Sequence, residues 1–259
     1  MAEAARAPLA LGDAFRDAGE VLIRRGPFLL LLSALLVLPG GVLAAWLRQH
    51  ALLPADPTSA ASVFFLGIAN GCVNWLAMAT PQALFIAAAT WVTAEALEGR
   101  SPPIGETVGQ GLRLWLPMLI VQALYLLGMM AGMVLLIVPG IILALMWMFV
   151  GQVVVVERLG IIEAFKRSRV LTKGHRWALL GLSVASTLIV VAFEWVVFKV
   201  TAPSLAFAGA VVAPVNAYGV IPVLSWLTTP LTVVVMTTLY RRLRNGHRGA
   251  ADVTAEIFA

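Results

Sequence analysis

Three stretches of this chain carry no Asp, Glu, Lys or Arg: residues 57–94, 114–156 and 200–240, of 38, 43 and 41 residues. A straight helix rises 1.5 Å per residue, so a 43-residue helix would be about twice as long as a bilayer core is thick. Such a run must reverse direction inside or beside the membrane. Soluble domains carry about 25% charged residues. This chain carries 12%, with 61% hydrophobic residues and a mean hydropathy of +0.93. The apolar surface therefore faces lipid, and the fold expected is an all-α polytopic membrane protein.

Taken in order, residues 9–25 have helical periodicity, with Leu11, Phe15, Ala18 and Leu22 on one face and Asp13, Arg16, Asp17, Glu20 and Arg24 on the other. They read as an interfacial amphipathic helix. Span 1 is expected over 27–47, kinked or broken at Pro39-Gly40-Gly41. Arg24 and Arg25 before an apolar run could signal export, but the acidic, 26-residue arm argues against a cleaved leader. Residues 60–72 read as a re-entrant or interfacial piece and 74–96 as span 2. Spans 3 and 4 are expected at 117–138 and 140–156, a tight hairpin broken at Pro139 and Gly140, where proline removes a helix donor and glycine frees the turn. Span 5 follows at 177–197 and span 6 at 221–240. The divisions are an arm at 1–26, a membrane domain at 27–240 and a basic tail at 241–259.

Charge sets the orientation. With six spans, 16 of 18 Lys and Arg residues fall on one side, leaving Arg48 and Lys199 opposite. By the positive-inside rule both termini are then cytoplasmic. Three segments align without gaps: Leu11–Phe15 (LGDAF), Ile104–Val108 (IGETV) and Ile161–Phe165 (IIEAF). Each has an acid third and a small residue eighth (Ala18, Gly111 and Ser168), and each precedes a pair of spans. They suggest a three-fold repeat of interfacial helix and hairpin. Gly128 and Gly132 form a small-xxx-small spacing and are candidates for close helix packing.

One charged constellation stands out. Wound as a helix, 161–173 places Ile161, Ile162, Ala164, Phe165 and Leu171 on an apolar side and Glu163, Lys166 and Arg167 on a polar side. Glu163 and Arg167 are spaced for an i,i+4 pair. Arg169 lies off that polar side, with Lys173 one turn on. An anionic lipid phosphate between them would relieve their repulsion; snorkelling to water, or pairing of Arg169 with Glu157, would serve as well. Lys166, Arg167, Arg169 and Lys173 are thus the lipid-headgroup candidates. Glu194 is expected to pair structurally near Lys199, and Gln122 and Gln152 to bond between helices. The three histidines sit in separate segments, with no metal-ligand spacing and no catalytic motif. No metal, cofactor or nucleic-acid partner is expected, and the sole cysteine, Cys72, excludes an internal disulfide.

At Pro139-Gly140, Glu157, Ala164–Ser168, Leu171–Gly174 and Trp177, and again at Leu239–Arg244, the chain resembles a bacterial family of six-span proteins similar to the glycerophosphoryl diester phosphodiesterase membrane domain. The resemblance covers about 100–245. It implies a bacterial inner-membrane protein that shares this fold. It does not carry over the activity, because the His and carboxylate set of the soluble phosphodiesterase domain is missing. The expected function is non-enzymatic: binding anionic lipid headgroups at the cytoplasmic face, or scaffolding an envelope partner in the membrane. A small-solute or lipid transporter, with broken segments 60–81 and 200–222 lining its path, is the alternative.

Overall fold

The computed structural model describes residues 11–50, 59–135, 137–207 and 221–258, and among them the chain is helical with no strand. The helices are α1 (Leu11–Gln49), α2 (Ala60–Leu97), α3 (Ile104–Leu135), α4 (Ile137–Met146), α5 (Val150–Glu157), α6 (Ile161–Thr172), α7 (Arg176–Phe207) and α8 (Ile221–Phe258). Among the described residues, five stretches are long and apolar enough to cross a membrane: Gly12–Leu47, Ala60–Leu97, Ile104–Val134, Val138–Glu157 and Arg176–Phe193. Much of the outer surface is correspondingly apolar. Leu31, Leu35, Val134 and Trp177 are among its most exposed side chains.

Several expected breaks are absent. The amphipathic segment at 9–25 does not lie apart from span 1: α1 runs unbroken through Pro27 and Pro39. Prolines are tolerated in apolar helices because neighbouring groups take over the freed carbonyls. Gly40 gives α2 room to approach, since a Cβ there would collide with the ring of Pro81 and lie 3.2 Å from the Ala77 carbonyl. Residues 60–72 are likewise not a separate re-entrant piece, because α2 is continuous from Ala60 with Ser59 capping its start. The broken segment proposed at 60–81 is therefore a helix, and 208–220 lie outside the described residues. Beyond 240, α8 continues as a helix to Phe258, so the described part of the basic segment is not separate from the helix that precedes it.

The hairpin between α3 and α4 turns earlier than Pro139-Gly140. Helix α4 begins at Ile137 and places both residues in its first turn. Proline is compatible there, where its missing donor would have had no partner. The two helices then close tightly: a Cβ on Gly132 would stand 2.8 Å from the Gly140 Cα, and one on Gly128 would enter the Trp147 ring. Span 4, in turn, is not one helix. It divides at Trp147–Phe149 into α4 and α5.

The core has two parts. One gathers Phe149, Val153, Leu171, Leu239 and Tyr240 with Ala14, Ala83, Ala87 and Ala164, so alanines of α1, α2 and α6 meet larger side chains of α5, α6 and α8 there. The other joins Leu29, Phe85 and Val234. Between α1 and α8, the Trp226 indole N–H donates to the Leu30 carbonyl at 2.7 Å, and the Ser33 hydroxyl reaches the Trp226 carbonyl at 3.3 Å. Leu11, Ile104 and Ile161, the first residues of the three aligned segments, each begin a helix. Their fourth residues, Ala14, Thr107 and Ala164, are all buried. Of their eighth residues, Ala18 and Ser168 are buried, and Gly111 packs on Ala88 and the Leu84 carbonyl.

Candidate functional site

The polar chemistry collects at one end of the bundle, where α2 and α5 finish, α6 crosses, and α8 emerges from its apolar half. Its centre is Glu157, the last residue of α5. The Tyr240 hydroxyl donates to Glu157 Oε1 at 2.7 Å, and Arg167 Nε donates to both carboxylate oxygens at 3.3 and 3.1 Å. Glu157 is 14% exposed and Arg167 30%, so the pair is shielded from bulk water. The expected Glu163–Arg167 pair does not form; a tertiary partner on α5 outcompetes the neighbour one turn away. Arg169, the alternative partner for Glu157, is exposed instead.

Three consecutive residues of α8 then fan out to three helices. Tyr240 turns to Glu157 on α5. Arg241 donates to the Ala94 carbonyl and to Glu98, both at 2.8 Å, at the end of α2. Arg242 pairs with Asp17 at 2.5 Å and Asp13 at 3.6 Å on α1. Successive helical residues point about 100° apart, so three in a row can reach three neighbours. Burial lowers the Arg241 pKa, and the Glu98 carboxylate opposes that shift. Arg244 lies over the Tyr240 ring at 6.0 Å.

The end of α2 is closed just as firmly. Gly99, with φ +74°, allows the chain to turn back, and the Gly99 and Arg100 amides bond the Ala96 and Glu95 carbonyls, each at 3.0 Å. This is the Schellman pattern, which needs a left-handed residue after the helix. The Arg100 side chain returns to Glu95 at 2.5 Å and to Glu98. These two carboxylates hold its guanidinium still further toward the charged form.

Helix α6 is tied to the span-4 break by a residue that sequence pattern did not single out for this role. The turn at Trp147–Phe149 leaves the Phe149 amide and the Met146 carbonyl without helical partners. Ser168 Oγ accepts from that amide at 3.2 Å and donates to that carbonyl at 2.9 Å. Phe165 meets Trp147 edge-on at 5.0 Å. A Ser168→Ala protein would bury an unpaired donor and acceptor together. We expect a loss of about 2 kcal/mol, read as a lower unfolding midpoint in detergent and faster amide exchange at 146–150.

Of the four lipid-headgroup candidates, Arg167 is thus turned inward. Lys166, Arg169 and Lys173 are exposed, with no ion pair among the described residues. Gly128 and Gly132 face α4 and Trp147, and Pro139 and Gly140 lie on the opposing helix. The Glu194 side chain lies outside the described residues; Lys199 sits 5.4 Å from the centroid of the Trp195 ring. Gln122 Nε2 is buried without a partner rather than bonded between helices. Among the described residues, no cluster of His, Cys, Asp or Glu could hold a metal ion.

The family model for a domain of unknown function, DUF7847, matches residues 9–243. The chain belongs to this family. The DUF7847 match takes in α1 through the Tyr240–Arg242 fan and ends at Leu243, one turn after Leu239. No curated protein and no solved structure matches the chain.

Proposed function

We propose that this DUF7847 protein is a six-span, non-enzymatic protein of the bacterial inner membrane that binds anionic phospholipid headgroups along the outer face of α6. The supporting observation is the division of labour within that helix. Arg167 is consumed by Glu157, whereas Lys166, Arg169 and Lys173 are exposed and unpaired among the described residues. In this reading the apolar half of α8 is the sixth span, the three aligned helix starts are a repeat, and the charged end faces the cytoplasm. The resemblance to the glycerophosphoryl diester phosphodiesterase membrane domain fits the same picture, since two of the residues that carry it, Glu157 and Tyr240, are hydrogen-bonded to each other. The transporter alternative loses one of its two broken segments, because α2 is continuous through 60–81.

A surface cation near anionic lipid contributes about 1 kcal/mol. Replacing Lys166, Arg169 and Lys173 by Gln is therefore expected to lower phosphatidylglycerol retention by at least about tenfold. Native mass spectrometry of the delipidated, lipid-titrated protein reads this directly. Equal retention by the wild type and the triple variant would reduce these cations to topology signals.

A further inference from the structure

A second charged feature lies apart from α6 and does not depend on it. Between α1 and the α2–α3 turn is a cavity of about 370 Å³, whose charged walls are Asp17, Glu20, Arg24, Arg25 and Arg100. Its volume lies within the range of small-molecule sites. Val21 and Leu97 supply apolar lining. Arg25 directly precedes the uncharged part of α1, and Leu97 ends α2. The cavity therefore opens where the apolar stretches of both helices meet the charged end, at the level of lipid headgroups.

Its charges are of both signs and unequally engaged. Asp17 is held by Arg242 at 2.5 Å, and Arg100 by Glu95 and Glu98. Glu20 pairs with Arg24 at 2.7 Å, but both side chains are more than half exposed. Exposed pairs of this kind contribute little and exchange partners readily. Arg25 is half-buried, with no ion pair or hydrogen bond among the described residues. A purely anionic ligand would meet two carboxylates here, and a purely cationic one three guanidinium groups.

We propose that this cavity binds a phosphoryl group carrying a primary ammonium beside it, as in a phosphatidylethanolamine headgroup. Arg25 takes the phosphate, for which a guanidinium fork is suited. Glu20 takes the ammonium, giving up Arg24. A primary ammonium offers three N–H donors to a carboxylate; the quaternary ammonium of phosphatidylcholine offers none.

The test uses the full chain, purified and delipidated in detergent, with native mass spectrometry as readout. Phosphatidylethanolamine, phosphatidylcholine and phosphatidylglycerol are titrated separately in the Lys166/Arg169/Lys173→Gln background, which removes the α6 surface from the measurement. The ethanolamine lipid is expected to be retained several-fold over the other two. Arg25→Gln abolishes that retention. Glu20→Gln brings it down to the choline level, and Arg24→Gln raises it by freeing Glu20. That gain cannot arise from misfolding. Soluble O-phosphoethanolamine separates the sources: if it displaces bound lipid, the site is a headgroup site. If it binds while no lipid is retained, the same chemistry serves a free solute. Equal retention of all three lipids, or variants that behave like the parent, would overturn the proposal.

Discussion

Replacing Glu157 by alanine is expected to destabilise the protein by about 3 kcal/mol, the largest effect of any single charge removal among the described residues. Loss of one partner from a shielded ion pair costs about 3–5 kcal/mol, because the other charge remains buried and unpaired. The lower end applies because Arg167 is 30% exposed and can draw in water. The Tyr240 hydroxyl fares worse: its residue is fully buried and Glu157 is its hydrogen-bond acceptor. For a chain of this size the midpoint should fall by on the order of 10 °C, followed by tryptophan fluorescence in detergent. Glu157→Gln should lose less, since an amide oxygen still accepts from Tyr240 while Arg167 loses its counter-charge. Tyr240→Phe removes one hydrogen bond and should cost about 1 kcal/mol. Combined with Glu157→Ala, it should add almost nothing further, because both changes delete the same contact. Full additivity in that cycle would show that Glu157 and Tyr240 do not act together.

Much of this arrangement could be read from the chain, for a reason particular residues make plain. The uncharged runs at 57–94 and 114–156 are too long and too apolar for anything but membrane helices, and α2, α3 and α4 follow from them. The aligned acids at Asp13, Glu106 and Glu163 likewise mark first helical turns. The punctuation misled. Pro27, Pro39 and Pro81 sit inside continuous helices, because apolar surroundings and neighbouring helices stabilise what water would unravel. The real interruption, at Trp147–Phe149, contains neither proline nor glycine. It exists because Ser168, about twenty residues later, satisfies both groups the turn exposes. Local spacing also favoured Glu163 for Arg167, whereas the contact formed spans ten residues. The Tyr240–Arg242 fan passed for the start of a basic tail. Its signal was present, since three polar residues following an apolar helical run must point in three directions.

Enlarging Gly132 is expected to be the most damaging change within the apolar part of the bundle. A Cβ there would approach the Gly140 Cα to 2.8 Å, the Leu143 Cδ1 to 3.0 Å and the Gly140 amide nitrogen to 3.2 Å. Two of those three atoms are backbone, so no side-chain rotation makes room and α3 must move away from α4. In lipid, helices associate through close van der Waals fit, with no gain from hiding apolar surface from water. A gap of a fraction of an ångström therefore forfeits attraction that nothing replaces. Overpacked sites typically lose about 1–3 kcal/mol, and Gly132→Val belongs at the upper end. Gly132→Ala should lose about half as much. Gly128→Ala is a useful contrast: its obstacle is the Trp147 ring, a side chain next to the span-4 turn, and that ring also touches Phe165 of α6. Displacing it should loosen α6 as well as the hairpin. Amide exchange should then quicken in both 146–150 and 161–172 for Gly128→Ala, but around 128–143 alone for Gly132→Ala. If the two variants gave the same exchange pattern, Trp147 would not transmit strain from the hairpin to the helix that carries Lys166 and Arg169.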